Sequence, residues 1–190
     1  MDEEEEVKMV FLDMDGVLVD FIGGVEDIWG KASNSDKWDL GARYGVSDNE
    51  VWQAIAHGGS DFWKNLRPTA QFPEIVAVVR EAGTPFYLAT SPSLSPDCAR
   101  GKTEWIQKYF GRGFRDYFIT PKKELLSQPG RFLVDDRTEN CREWDARGGT
   151  SMLYPQPWNS QGSAVEDPLS QLEVLLIHHC NPGSGVDYCR

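Results

Sequence analysis

The stretch Met9-Val10-Phe11-Leu12-Asp13-Met14-Asp15-Gly16-Val17-Leu18-Val19-Asp20 decides how this chain is read. Four apolar residues run directly into two carboxylates at i and i+2, then a glycine, then a second apolar run. An uninterrupted apolar segment of that length is the pattern of a strand buried on both faces of a parallel sheet, ending here in an acidic loop. Two carboxylates ~4 Å apart repel by roughly 4 kcal/mol at an effective dielectric near 20. A divalent cation with oxygen ligands offsets that repulsion, and magnesium is the usual one where phosphate is the other ligand. Gly16 permits a sharp turn beside a ligand.

Working outward, the same logic recurs. Phe86-Tyr87-Leu88-Ala89 is a second apolar strand, ending in Thr90-Ser91-Pro92. Tyr117 to Thr120 is a short strand followed by Pro121-Lys122-Lys123, and Arg131 to Val134 runs into Asp135-Asp136-Arg137. Ser151 to Tyr154 makes a fifth strand. Between them lie helical patterns: one opened by Phe72-Pro73-Glu74, one from Ala99 to Phe110, one from Glu139 to Arg147, and a last one capped by Asp167 and Pro168 and running to about Ile177. The alternation predicts an α/β fold, a Rossmann-like parallel five-stranded sheet with helices on both faces. Ligands of such sheets bind beyond the carboxyl ends of the strands, which is where Asp13, Asp15, Thr90, Lys123, Asp135 and Asp136 all fall.

Residues 21–67 interrupt the alternation and read as a small, mainly helical cap inserted after the first strand. Ser47-Asp48-Asn49-Glu50 is a capping box, Val51, Trp52, Ile55 and Ala56 follow at helical spacing, and Gly58-Gly59 ends the helix. Trp29, Trp38, Trp52, Trp63, Phe21, Tyr44 and Phe62 supply the cap's own small core, with one or two of them facing a pocket. The expected organisation is a core domain of residues 1–20 and 68–180, the cap, and a loose tail over 181–190.

Composition narrows the function. The 190 residues carry a net charge of −11, which disfavours holding a polyanion such as DNA and leaves a small phosphorylated substrate open. The acidic run Asp2 to Glu6 is unlike a secretory signal, and no segment has the ~18 apolar residues of a membrane span, so a cytoplasmic protein without membrane contact is expected. Cys98, Cys141, Cys180 and Cys189 lack the spacing of a zinc or disulfide framework and are read as reduced thiols.

Asp13-Met14-Asp15-Gly16-Val17-Leu18 resembles the first motif of the haloacid dehalogenase-like (HAD) phosphohydrolases, and Thr90, the Lys122-Lys123 pair and Asp135-Asp136 follow in that family's order. The resemblance implies a magnesium-dependent phosphomonoesterase. Asp13 would form an aspartyl-phosphate and Asp15 would act as general acid and base. Thr90 would donate a hydrogen bond, Lys123 (or Lys122) would supply positive charge, and Asp13, Asp15, Asp135 and Asp136 would hold Mg2+.

Phe62-Trp63-Lys64-Asn65-Leu66-Arg67-Pro68, Glu104 to Gly111 and Leu133 to Arg137 are further similar to the 5'(3')-deoxyribonucleotidases. That implies a nucleoside monophosphate substrate, with Phe21 packed on sugar and base, Trp38 adding to it, and Ser91 and Arg137 near the substrate; a homodimer is admitted. One departure stands out: those enzymes tend to read Thr-Arg-Asp-Lys where this chain has Thr120-Pro121-Lys122-Lys123. A phosphatase for sugar phosphates is the alternative on the same scaffold. A phospho-accepting receiver domain is a distant one, disfavoured by the insertion and by the order of the aspartates.

Overall fold

The computed structural model describes residues 8–30, 37–162 and 164–180. The acidic run at residues 2–6 and the tail expected at 181–190 lie outside the described residues. Five parallel strands form one sheet: β1 (Met9–Leu12), β2 (Phe86–Thr90), β3 (Tyr117–Ile119), β4 (Arg131–Asp135) and β5 (Thr150–Leu153), in the order β3-β2-β1-β4-β5. The opening stretch is the central strand. Its partners Leu12↔Leu88 and Leu12↔Val134 set both neighbours in register, so the loops after β1, β2 and β4 emerge together.

Alternate residues of the buried strands serve different layers, as the two-residue strand period requires. Val10, Leu12, Leu88, Phe132 and Val134 face a large core with Ile75 and Val79 of α5 (Phe72–Glu81), Trp105 and Ile106 of α6 (Pro96–Phe110), and Leu172 and Leu176 of α8 (Pro168–Cys180). Phe11, Ala89 and Leu133 point the other way onto Trp144 of α7 (Thr138–Asp145). The sheet thus carries helices on both faces.

Residues 21–67 fold as α1 (Phe21–Trp29), α2 (Leu40–Tyr44), α3 (Asp48–His57) and α4 (Gly59–Asn65). The Ser47 capping box forms as read, but Gly58 both ends α3 and starts α4, so the Gly-Gly pair joins two helices without a loop. The aromatic core expected inside this insertion is continuous with the sheet's: Phe21, Tyr44, Ile55 and Trp63 belong to the same buried cluster as Val10 and Trp105. Gly101 makes this contact possible, because a Cβ there would run 2.5 Å from both the Ser60 carbonyl and the Trp63 side chain. Among the described residues no helix is long and apolar enough to cross a membrane.

Candidate active site

The first acidic loop is shaped by a tight turn in which the Gly16 N–H donates to the Val19 carbonyl at 2.9 Å. Gly16 has φ +84°, and a Cβ on it would collide with the Asp136 carboxylate. Only glycine lets the loops after β1 and β4 approach so closely.

Asp13 is buried and its Oδ1 lies 2.6 Å from Lys123 Nζ; the same ammonium sits 2.7 Å from Asp135 Oδ2. Lys122 is exposed and pairs loosely with Glu124 at 3.6 Å, so of the two candidate lysines it is Lys123 that enters the site. Asp135 is further held by the Asn140 amide, 3.0 Å from each of its oxygens, and by the Arg137 backbone N–H at 2.9 Å. Asp136 accepts a hydrogen bond from the Trp158 indole at 2.7 Å.

The Asp13 carboxyl is pushed up to about 7, chiefly by burial, with Lys123 pulling it down and Asp135 and Asp15 pushing it up. Asp136 is also held well above the ordinary carboxylate range, by burial and then by Asp135 and Asp13. Burial lowers the Lys123 ammonium, but Asp13 and Asp135 outweigh it and leave it raised. These directions describe carboxylates crowded in a dry site with too little positive charge.

Asp13, Asp135 and Asp136 each offer an oxygen within 4.8 Å of the others. A set of hard, buried oxygen donors with a charge deficit fits magnesium. Asp15, expected among the metal ligands, is outside this group. Its Oδ2 is 2.5 Å from Nζ of Lys102, a residue outside the sequence motifs. Lys102 is 1% exposed and also donates to Thr90 Oγ1 at 2.6 Å and to the Ser91 carbonyl at 2.8 Å, which uses all three of its hydrogens. The signal for it was available: Lys102 lies on the inward helical face with Cys98, Trp105 and Ile106, where the period calls for an apolar residue. Thr90, expected to donate a hydrogen bond, is fully buried and its oxygen accepts one from Lys102. Asp15 Oδ1 is buried with no hydrogen-bond partner among the described residues.

These groups open onto a cavity of about 570 Å³. Asp13, Asp15, Lys123 and Asp136 form its floor, Ser91 and Arg137 lie on its wall, and aromatic residues of the insertion close it. Phe21 lines the cavity but is 3% exposed, packed parallel to Trp63 (centroids 5.7 Å apart, 15° between planes) and close to Trp52 and Trp38. Trp38 lines it too, with the Arg137 guanidinium 5.4 Å from its ring. Trp52, one of the seven aromatics of which one or two were expected to face a pocket, is 39% exposed and faces the same space. Such a cavity has an ionic floor and an apolar roof.

Strand order, the joined acidic loops and the buried lysines together place the chain among the HAD-like phosphohydrolases, and solved structures agree on the fold. A HAD family hydrolase from Deinococcus radiodurans, determined with phosphate and sodium, superposes with a TM-score of 0.53 at 14% identity, covering 88% of each chain. A provisionally assigned HAD hydrolase from Bacillus subtilis, determined with magnesium, does so at 0.53 and 10% identity, covering 90% of this chain and 99% of that one.

Within that class, the family described as 5' nucleotidase, deoxy (pyrimidine), cytosolic type C matches residues 7–167, and the chain belongs to it. A Vibrio phage KVP40 protein, provisionally described as a 5'(3')-deoxyribonucleotidase, is 27% identical over 70% of this chain and 68% of its own length. The human mitochondrial 5'(3')-deoxyribonucleotidase is 29% identical over 68% of this chain, which spans 62% of the human protein.

Proposed function

We propose that this chain is a magnesium-dependent phosphomonoesterase that removes phosphate from deoxynucleoside monophosphates through an aspartyl-phosphate on Asp13. The observation that carries the reading is the pairing of Asp13 with Lys123 at 2.6 Å on the floor of an aromatic-roofed cavity. The ammonium neutralises incoming phosphate oxygens while the roof accepts a sugar and base.

In this reading an Asp13 oxygen attacks phosphorus and the bond from phosphorus to the leaving oxygen breaks. Asp15 gives its proton to that oxygen, then takes one from the water that cleaves the acyl phosphate, releasing phosphate and restoring Asp13. Lys102 fixes Asp15 and Thr90 in place, and Asp15 Oδ1, buried with no hydrogen-bond partner among the described residues, is the oxygen left to carry the proton. Asp13 and Asp136, with Asp135 behind them, would hold magnesium. Bound there, the ion supplies charge compensation for the phosphate dianion. Four carboxylates here face two lysine ammonium groups, Lys102 and Lys123, so a divalent cation balances the site.

Residues 21–67 act as a cap over a core of 1–20 and 68–180, and Phe21, Trp38, Trp52, Ser91 and Arg137 shape the substrate space. The family's cytosolic description, with Cys98 and Cys141 buried as free thiols, supports a cytoplasmic setting. A homodimer stays within the same reading. The test is hydrolysis of a panel of deoxy- and ribonucleoside monophosphates, sugar phosphates and p-nitrophenyl phosphate, with and without magnesium. A buried 2'-hydroxyl lacking a partner costs about 1 to 3 kcal/mol, so deoxynucleotides are expected to lead ribonucleotides by roughly 5- to 150-fold in kcat/KM. Equal rates for both, or faster hydrolysis of sugar phosphates, would overturn the substrate assignment.

A further inference from the structure

We infer that Trp158 is a positioning residue for the Asp136 carboxylate and ties it to the cap. The inference rests on the reading of the Asp13, Asp135 and Asp136 group as a cation site.

The polar segment that follows β5 fastens both acidic loops. Gln156 Nε2 donates to the Gly16 carbonyl at 2.5 Å, and Asn159 Nδ2 donates to the carbonyls of Asp136 and Tyr154, both at 2.8 Å. Between them the Trp158 indole N–H donates to Asp136 Oδ2 at 2.7 Å. Asp135 has a lysine, an asparagine and a backbone N–H to fix it; among the described residues Trp158 is the hydrogen-bond donor to the Asp136 side chain. A neutral donor suits a metal ligand. It fixes the carboxylate's rotation without the positive charge that would compete with the cation.

The other side of the indole meets the cap. The Trp158 ring lies 5.7 Å from Trp38 at 54°, with the Arg43 guanidinium 5.7 Å from its centre, and Arg137 lies 5.4 Å from Trp38. Trp38 and Arg43 belong to the insertion, whereas Arg137 and Trp158 belong to loops after β4 and β5. The contacts therefore run Arg43, Trp158, Trp38, Arg137, alternating between insertion and core, and the core ring in that chain also holds Asp136. Binding at the carboxylates and seating of the cap are coupled through one side chain, and such coupling is reciprocal.

The experiment is calorimetric titration of magnesium into the metal-free full chain without substrate, for the wild type, Trp158→Phe and Trp38→Leu. Trp158→Phe keeps a ring and loses the donor; its magnesium dissociation constant is expected to rise 10- to 100-fold, with the lost p-nitrophenyl phosphate turnover recovered as magnesium is raised. Trp38→Leu keeps the indole donor and loses the cap's partner ring, and is expected to weaken magnesium about two- to fivefold. A wild type that binds no magnesium overturns the cation-site reading together with this one. A wild type that binds, beside a Trp158→Phe variant within twofold of it, overturns this inference alone. If Trp158→Phe does not fold, unchanged magnesium affinity in Trp38→Leu overturns it.

Discussion

Lys102 Nζ lies 2.5 Å from Asp15 Oδ2, joining the middle of α6 to the loop after β1. The lysine is almost wholly buried while Asp15 keeps a fifth of its side-chain surface, so the proposed acid/base is held from the protein side and borders the cavity.

Lys102→Met is expected to lower both stability and turnover. Removing one partner of a buried pair costs about 3 to 5 kcal/mol, and the partial exposure of Asp15 favours the lower end. At about 3 kcal/mol a domain of this size loses roughly 6 to 12 °C in Tm. Turnover is expected to fall at least ~100-fold, because both Asp15 and Thr90 lose their anchor. Thermal unfolding and p-nitrophenyl phosphate kinetics on the folded variant measure the two effects, and an unchanged Tm would contradict the pairing.

Asp13→Asn preserves shape but replaces an attacking carboxylate with an amide. Phosphate release is expected to drop by more than about 1,000-fold with circular dichroism unchanged. Activity within tenfold of the parent would sink the nucleophile assignment.

Chelation with EDTA is expected to abolish activity and magnesium to restore it. The cation also relieves repulsion among Asp13, Asp135 and Asp136, whose oxygens lie within 4.8 Å of one another. Magnesium at ~100 times its dissociation constant therefore adds about 2.7 kcal/mol, or roughly 5 to 11 °C in Tm for this size. Full turnover in excess EDTA, or no thermal shift, would count against the site.

Phe21 and Trp52 separate packing from recognition. Phe21 is 3% exposed among Trp63, Trp52 and Trp38, so Phe21→Ala is expected to cost about 3 to 5 kcal/mol of stability whatever it does to substrate. Trp52 lines the cavity and is 39% exposed, so, compared with Phe21→Ala, Trp52→Ala is expected to cost less stability. Its kcat/KM for deoxynucleotides should fall roughly 5- to 150-fold, the worth of one base stacked on an aromatic. Kinetics on p-nitrophenyl phosphate, which carries no base, should change less than about twofold; equal loss on both substrates would rule out a base-stacking role.

The central strand, the parallel sheet and the acidic loops were legible because they depend on local pattern. An apolar run such as Met9–Leu12 can be stable only when buried on both faces, and polar residues placed after such runs must gather at one end of the sheet. The Ser47 capping box was legible for the same reason, since its partners lie three residues apart. Tertiary structure alone decided the rest. That Lys102 turns to Asp15, that Lys123 and not Lys122 enters the site, and that Trp158 reaches Asp136 depend on where separate helices and loops meet. The same holds for Phe21, a candidate substrate contact by sequence that became largely a packing residue once α4 closed against α6. Sequence spacing specifies which face of an element a residue occupies. Which distant group shares that face is set by packing, because a buried charge must find its partner wherever the fold has placed one.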